Sequence, residues 1–136
     1  MLAITMHTAG YTGKAKRLAE SAARVGVTLL DQLIPPSANW RRTTHRKASI
    51  VTAAMRWSGE DILWVDADSE FRKHPVDCYR LPDRVSVAAF NHGGFLWGCT
   101  TFWRNDAASH GMLSQWAAQN SETPQYSADC NLWHVL

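Results

Sequence analysis

A chain of 136 residues is the size of one ordinary domain, and with 46% apolar and 19% charged residues it can bury a core without disulfides or metal staples. A net charge of +2 excludes a molecule that attracts polyanions through its overall field. Cys78, Cys99 and Cys130 are odd in number and lack zinc-like spacing, which excludes a disulfide scaffold and points to free thiols in a reducing compartment.

No apolar run approaches membrane-spanning length, and Met1 to His7 carries neither a basic segment nor a cleavage-like site. The expectation is one soluble, cytoplasmic domain over residues 1–136, with no membrane partner and with self-association left open. Leu2 to His7 reads as a strand, and Gly10 and Gly13 mark the loop that leaves it. From Lys14 to Val25 the residues Ala15, Leu18, Ala19, Ala22 and Val25 share one helical face, with Gly26 as the stop. Val27 to Leu33 is a second strand, closed by Pro35-Pro36. Thr44 to Ser58 predicts a helix with Ile50, Ala53, Ala54 and Trp57 inward, ended by Gly59. Asp61 to Asp66 is a short continuous apolar run, as expected of a strand buried on both faces. This β-α-β-α-β order predicts a mainly parallel sheet flanked by helices, an α/β Rossmann-like domain.

Beyond Pro75 and Pro82, Val85–Phe90 and Cys99–Trp103 read as strands, with His92-Gly93-Gly94 as a tight loop open to close approach by a ligand. Asn105-Asp106 can cap a helix to about Gln119, with Met112, Leu113, Trp116 and Ala117 inward. Ser127-Ala128-Asp129 starts a last short helix.

Asp66-Ala67-Asp68 is the sharpest chemical feature. On an extended chain, residues two apart point the same way, so both carboxylates would project from the end of a buried strand. Ligands of open parallel sheets gather there. Two adjacent carboxylates repel unless a positive charge sits between them, and a hard cation such as Mn²⁺ or Mg²⁺ suits oxygen ligands that leave room for a phosphate. Between Trp40 and Lys47 four fixed positive charges concentrate, readable as a phosphate-binding patch or as a solvated helix entry.

Lys47 on its helix, followed by Asp61-Ile62-Leu63-Trp64-Val65-Asp66-Ala67-Asp68, resembles the core of GT-A-fold glycosyltransferases, in particular the glycogenin and galactosyltransferase-like branch. Ile4 to Tyr11 resembles that family's first strand and nucleotide-base loop. Gly98-Cys99-Thr100-Thr101-Phe102 resembles its glycine-led strand behind the donor, and Ser127 to Leu132 its aspartate-led helix start. The resemblance implies a short GT-A domain that moves a sugar from a nucleoside-diphosphate sugar, a UDP-sugar foremost, to an unknown acceptor. It implies that Asp66 and Asp68 hold Mn²⁺ or Mg²⁺, that Thr8, Tyr11, Arg46 and Lys47 contact the nucleotide, and that Asp129 orients the donor sugar or serves as a base. His134 stands where a third metal ligand would be sought. Cys130 departs from the pattern, in which Gln or Glu follows the aspartate.

Two other readings compete. An inactive GT-A-like domain that binds a nucleotide or nucleic acid would keep the basic cluster and tolerate Cys130. A haloacid-dehalogenase-type phosphatase also places two aspartates after a buried strand, but on its first strand, and it needs a downstream acidic pair that is missing here.

Overall fold

The computed structural model describes residues 1–92 and 95–136, with side chains at all of these except 90–92, 95–97 and 133. The first strand, β1 (Leu2–His7), is buried along its whole length. Helix α1 (Thr12–Arg24) follows with Ala15, Leu18, Ser21 and Ala22 on its buried face. It ends in a Schellman turn: Gly26 takes φ 73°, and the amides of Val27 and Gly26 bond the carbonyls of Ala22 and Ala23. Next come β2 (Leu29–Leu33), α2 (Trp40–Thr44), α3 (Lys47–Ser58) and β3 (Ile62–Val65). The second half contributes β4 (Val87–His92), β5 (Phe95–Trp103), α4 (Ala107–Glu122) and α5 (Ala128–Trp133).

The strands form one sheet in the order β2-β1-β3-β5-β4. β2, β1 and β3 are parallel; β5 is antiparallel to β3, and β4 antiparallel to β5, so four of the five strands run the same way. The alternation of each strand sends its residues into two cores. Leu2, Ile4 and Met6 of β1 and Ile62 and Trp64 of β3 pack with α3, α4 and α5. Ala3, Leu63 and Val65 pack on the other face with Leu18 and Ala22 of α1 and with Phe71. Helices therefore flank the sheet on both faces, as the element order predicted. Among the described residues no helix is long and apolar enough to cross a membrane.

Several local expectations change. The helix expected from Thr44 is two helices, because the Asn39 side chain accepts from the Arg42 amide and starts α2 early. The buried face of α3 is Lys47, Ala48, Val51, Ala54 and Met55, and Trp57 is 76% exposed. Ala54 is inward as expected, and the rest of the inward face is rotated by one position, with Lys47, Val51 and Met55 turned to the sheet in place of Ile50, Ala53 and Trp57. The capping of α4 by Asp106 is as expected, its carboxylate accepting from the Ser109 amide at 2.8 Å. Gly93 and Gly94 lie outside the described residues.

Candidate active site

Because β2 and β3 flank β1 on opposite sides, and α1 and α3 cover opposite faces, a crevice opens beyond the carboxyl ends of β1 and β3. A cavity of about 450 Å³ occupies it. Its lining includes Thr8, Tyr11, Lys47, Asp66 and Asp68, five residues sought for donor binding, together with Met6, His7, Trp40 and Trp64.

The aspartate pair is delivered differently from the expectation. β3 stops at Val65, and the Ser69 amide bonds the Asp66 carbonyl at 2.9 Å, closing a turn over residues 66–69. The extended geometry ends where the Asp66 amide makes its last cross-strand bond, 2.8 Å to the Cys99 carbonyl. Both carboxylates still face the cavity, but the turn presents them, not a straight strand.

Lys47 organises the floor of this site. The residue is 3% exposed, and its Nζ lies 2.9 Å and 3.2 Å from the two Asp66 oxygens, 3.1 Å from the Gly98 carbonyl and 3.5 Å from Asp129 Oδ1. A buried ammonium is costly unless paired, and here three acceptors offset the lost hydration. Its Nζ also lies 5.6 Å from the centre of the Trp64 ring. The Trp64 Nε1–H donates to Asp66 Oδ1 at 2.8 Å, so both sides of that carboxylate are fixed in orientation. Glycine at position 98 leaves room for the Asp129 carboxylate, which an added Cβ would push aside.

Asp129 lies in the first turn of α5, capped by Ser127, whose hydroxyl accepts from the Cys130 amide at 3.3 Å. A buried amide network anchors that helix. Asn131 donates to Asn120 Oδ1 at 2.9 Å, Asn120 donates to the His45 carbonyl at 3.2 Å, and Trp116 Nε1 donates to the Ala128 carbonyl at 2.8 Å. The start of α5 is thereby tied to the start of α3, which is what brings Asp129 to Lys47.

At the rim, Lys14 Nζ stands 3.6 Å from Asp68 and 4.4 Å from the centre of the Tyr11 ring. Tyr11 is 45% exposed. Three carboxylates (Asp66, Asp68, Asp129) against two ammoniums (Lys14, Lys47) leave one negative charge in excess. The Cys99 thiol nearby is pushed up first by burial and then by the charge of Asp66, with Lys47 acting in the opposite direction.

Three sequence-expected residues are not part of the cavity lining: Asp129, which reaches the site only through Lys47, and Arg46 and His134, which stand apart from it. The Arg46 guanidinium donates to the Pro35 carbonyl at 3.2 Å and is not part of the cavity lining. His134 is exposed at the C-cap of α5, and among the described residues no three His, Cys, Asp or Glu gather as a ready-made metal cage. Arg41 donates to the Gln125 carbonyl at 2.9 Å, so two of the four basic residues expected to form a patch are spent on backbone carbonyls. Lys14, Trp64 and His7 escaped the sequence reading. Lys14 was legible as the basic residue one helical turn beyond Tyr11; the other two depend on strand register.

The fold is that of solved glycosyltransferases. The glycosyltransferase involved in the glycosylation of the major capsid of PBCV-1 superposes with a TM-score of 0.66 at 15% identity, covering 90% of this chain and 68% of that one. The glycosyltransferase GlyE of Streptococcus pneumoniae TIGR4 superposes at 0.71 with 11% identity, and its apo form at 0.67 with 11% identity. Each covers 98% of this chain, which spans 42% of GlyE. No protein-family model and no curated protein matches the chain by sequence.

Proposed function

We propose that this domain is a metal-dependent glycosyltransferase of the GT-A kind, moving a sugar from a nucleoside-diphosphate sugar to an acceptor. The observation that carries the reading is the pair Asp66 and Asp68 facing the crevice beyond β1 and β3, with the buried Lys47 ammonium shared between Asp66 and Asp129. The donor chemistry suits a hard divalent cation. Two carboxylates facing an open cavity offer oxygen ligands and leave positions for diphosphate oxygens. Asp66 and Asp68 would hold Mn²⁺ or Mg²⁺, whose charge neutralises that building on the leaving diphosphate.

The rest falls to the chain's own groups. Lys47, already desolvated, presents a fixed positive charge that needs no reorganisation as negative charge develops on the leaving group. Asp129, held against Gly98, is the carboxylate placed to orient the donor sugar or to accept a proton. Tyr11 offers a ring face at the rim on which a base can stack, and the backbone leaving β1 at Thr8 forms the adjoining wall. Arg46 serves by pinning Pro35, the neighbour of the wall residue Pro36.

The test is calorimetric binding of nucleoside diphosphates with and without Mn²⁺, in the parent and in Asp66→Ala and Asp68→Ala. Binding that requires metal, and is lost in both variants while they remain folded, is the expected result. Metal-independent affinity unchanged by either substitution refutes the reading.

A further inference from the structure

Residues 70–86, between the turn that presents Asp66 and Asp68 and strand β4, contribute nothing to the crevice, yet they are firmly built in. At one end the Phe71 amide donates to Ser21 Oγ at 3.0 Å and Arg24 pairs with Glu70 at 2.9 Å, which ties the chain to α1. At the other end the Arg104 guanidinium donates to the carbonyls of Leu81, Pro82 and Val85. Between these anchors Val76–Arg80 form a 3₁₀ helix. Such a helix turns once every three residues, so side chains three apart stand on one line. Cys78 and, just beyond, Leu81 pack on the core of Leu18 and Phe71. Val76 and Tyr79 share another line and are 41% and 58% exposed, an apolar ridge on the surface. His74 stacks on Tyr79, with ring centres 5.8 Å apart and planes inclined by 18°, and steadies the phenol ring.

Arg72, Lys73, Arg80 and Arg84 flank this ridge and are all exposed. Arg41 and Arg46 are spent on carbonyls, but these four make no hydrogen bond or ion pair among the described residues. Glu70 and Asp83 are already matched by Arg24 and Arg104, so the only anion set against the four is Asp77. Four cations less one carboxylate leave an excess of three positive charges. The whole chain carries only +2, so the remainder is negative by one and the positive field is concentrated here.

An apolar ridge between long cationic side chains matches the layering of an anionic bilayer. Val76 enters below the headgroups, the Tyr79 ring lies at their level, and the Arg and Lys stems reach back to the phosphates. A single-stranded nucleic acid fits less well: it needs open ring faces for its bases, and His74 already covers one face of Tyr79.

We propose that the Val76–Tyr79 ridge and its four flanking cations are a docking surface for an anionic lipid membrane. The contact is peripheral and needs no spanning helix, and it revises the expectation of no membrane partner. It goes beyond the donor-site reading and does not depend on it.

The experiment is co-sedimentation of the full chain with vesicles of phosphatidylcholine alone, or of equal parts phosphatidylcholine and phosphatidylglycerol, at low and at physiological ionic strength. Binding to the anionic vesicles only, weakening as salt rises, is the expected result. Arg72→Ala together with Lys73→Ala weakens binding roughly fivefold for each charge removed. Val76→Ser together with Tyr79→Ser weakens it roughly tenfold while the salt dependence persists. Arg56→Ala removes an exposed cation from α3, on the opposite face of the sheet, and leaves binding within about twofold of the parent. A melting curve checks each variant; if the Val76/Tyr79 pair fails to fold, Tyr79→Ser alone and the Arg72/Lys73 pair decide. No binding to anionic vesicles, equal binding to both kinds, or the same loss in Arg56→Ala as in the Arg72/Lys73 pair overturns the proposal. A single-stranded oligonucleotide that binds more tightly than the vesicles, through the same residues, assigns the surface to nucleic acid and overturns it as well.

Discussion

Lys47→Met removes the ammonium at the centre of the site while keeping an unbranched apolar side chain of similar length. Three acceptors then lose their shared donor: Asp66, the Gly98 carbonyl and Asp129. A hydrogen bond to a charged group contributes about 1.5–3 kcal/mol. Removing one partner of a fully buried pair costs about 3–5 kcal/mol. Here the loss is smaller, since the side chains of Asp66 and Asp129 are 28% and 37% exposed and can rehydrate. The variant also escapes the cost of burying an ammonium. About 2 kcal/mol of net destabilisation is the expected outcome. For 136 residues, at about 2.1 cal/mol/K of unfolding entropy per residue, that lowers Tm by about 7 °C. Thermal and urea unfolding should show a lower midpoint with an unchanged m-value. The divalent cation alone should stabilise the variant more than the parent, because Asp66 and Asp129 lack their counter-charge. A Tm within about 2 °C of the parent would show that Lys47 is not the charge holding these carboxylates together.

Gly98→Ala should part function from fold. Its Cβ displaces only the tip of the Asp129 side chain, so stability falls by less than about 1 kcal/mol, whereas release of nucleoside diphosphate from a nucleotide sugar falls roughly tenfold or more; parental turnover would remove Asp129 from the mechanism. Asp106→Ala should cost about 1 kcal/mol at pH 7 through loss of the α4 cap. Burial pushes the Asp106 carboxyl up, but bonds from Ser109 and Ser86 more than offset it and hold the group below its usual value. That stabilisation is complete above the unfolded value of about 3.9 and is lost as pH falls through the folded one, so parent and variant melting curves should converge in acid.

Much of this architecture was legible because strand and helix periods are local. The strand at Leu2–His7, the Leu18/Ala22 stripe and the caps at Asp106 and Ser127 are statements about neighbours in sequence. Where a side chain met a distant partner, the pattern failed. Trp57 has the spacing of a core residue, but the charge cluster around Lys47 sets the rotation of α3 and leaves it exposed. Asp66 and Asp68 were legible as a pair, yet the turn that presents them was not, because it depends on where pairing with β5 ends. The basic cluster was open to two readings for a related reason: Arg41 and Arg46 reach carbonyls of segments whose approach no local spacing encodes. His7 meets Asp31 at 2.8 Å through the register of β1 on β2.

Thermal unfolding of the parent with UDP, GDP, Mn²⁺ and each combination tests the donor-site claim most directly. A ligand that binds only the folded state, at one hundred times its Kd, adds about 2.7 kcal/mol. For a domain of this size that raises Tm by about 9 °C. With two carboxylates facing the cavity among the described residues, metal alone should do little, and nucleotide with metal should exceed the sum of the separate shifts. Asp68→Ala should abolish that excess. No shift beyond metal alone, or the same response in Asp68→Ala as in the parent, would contradict the assignment.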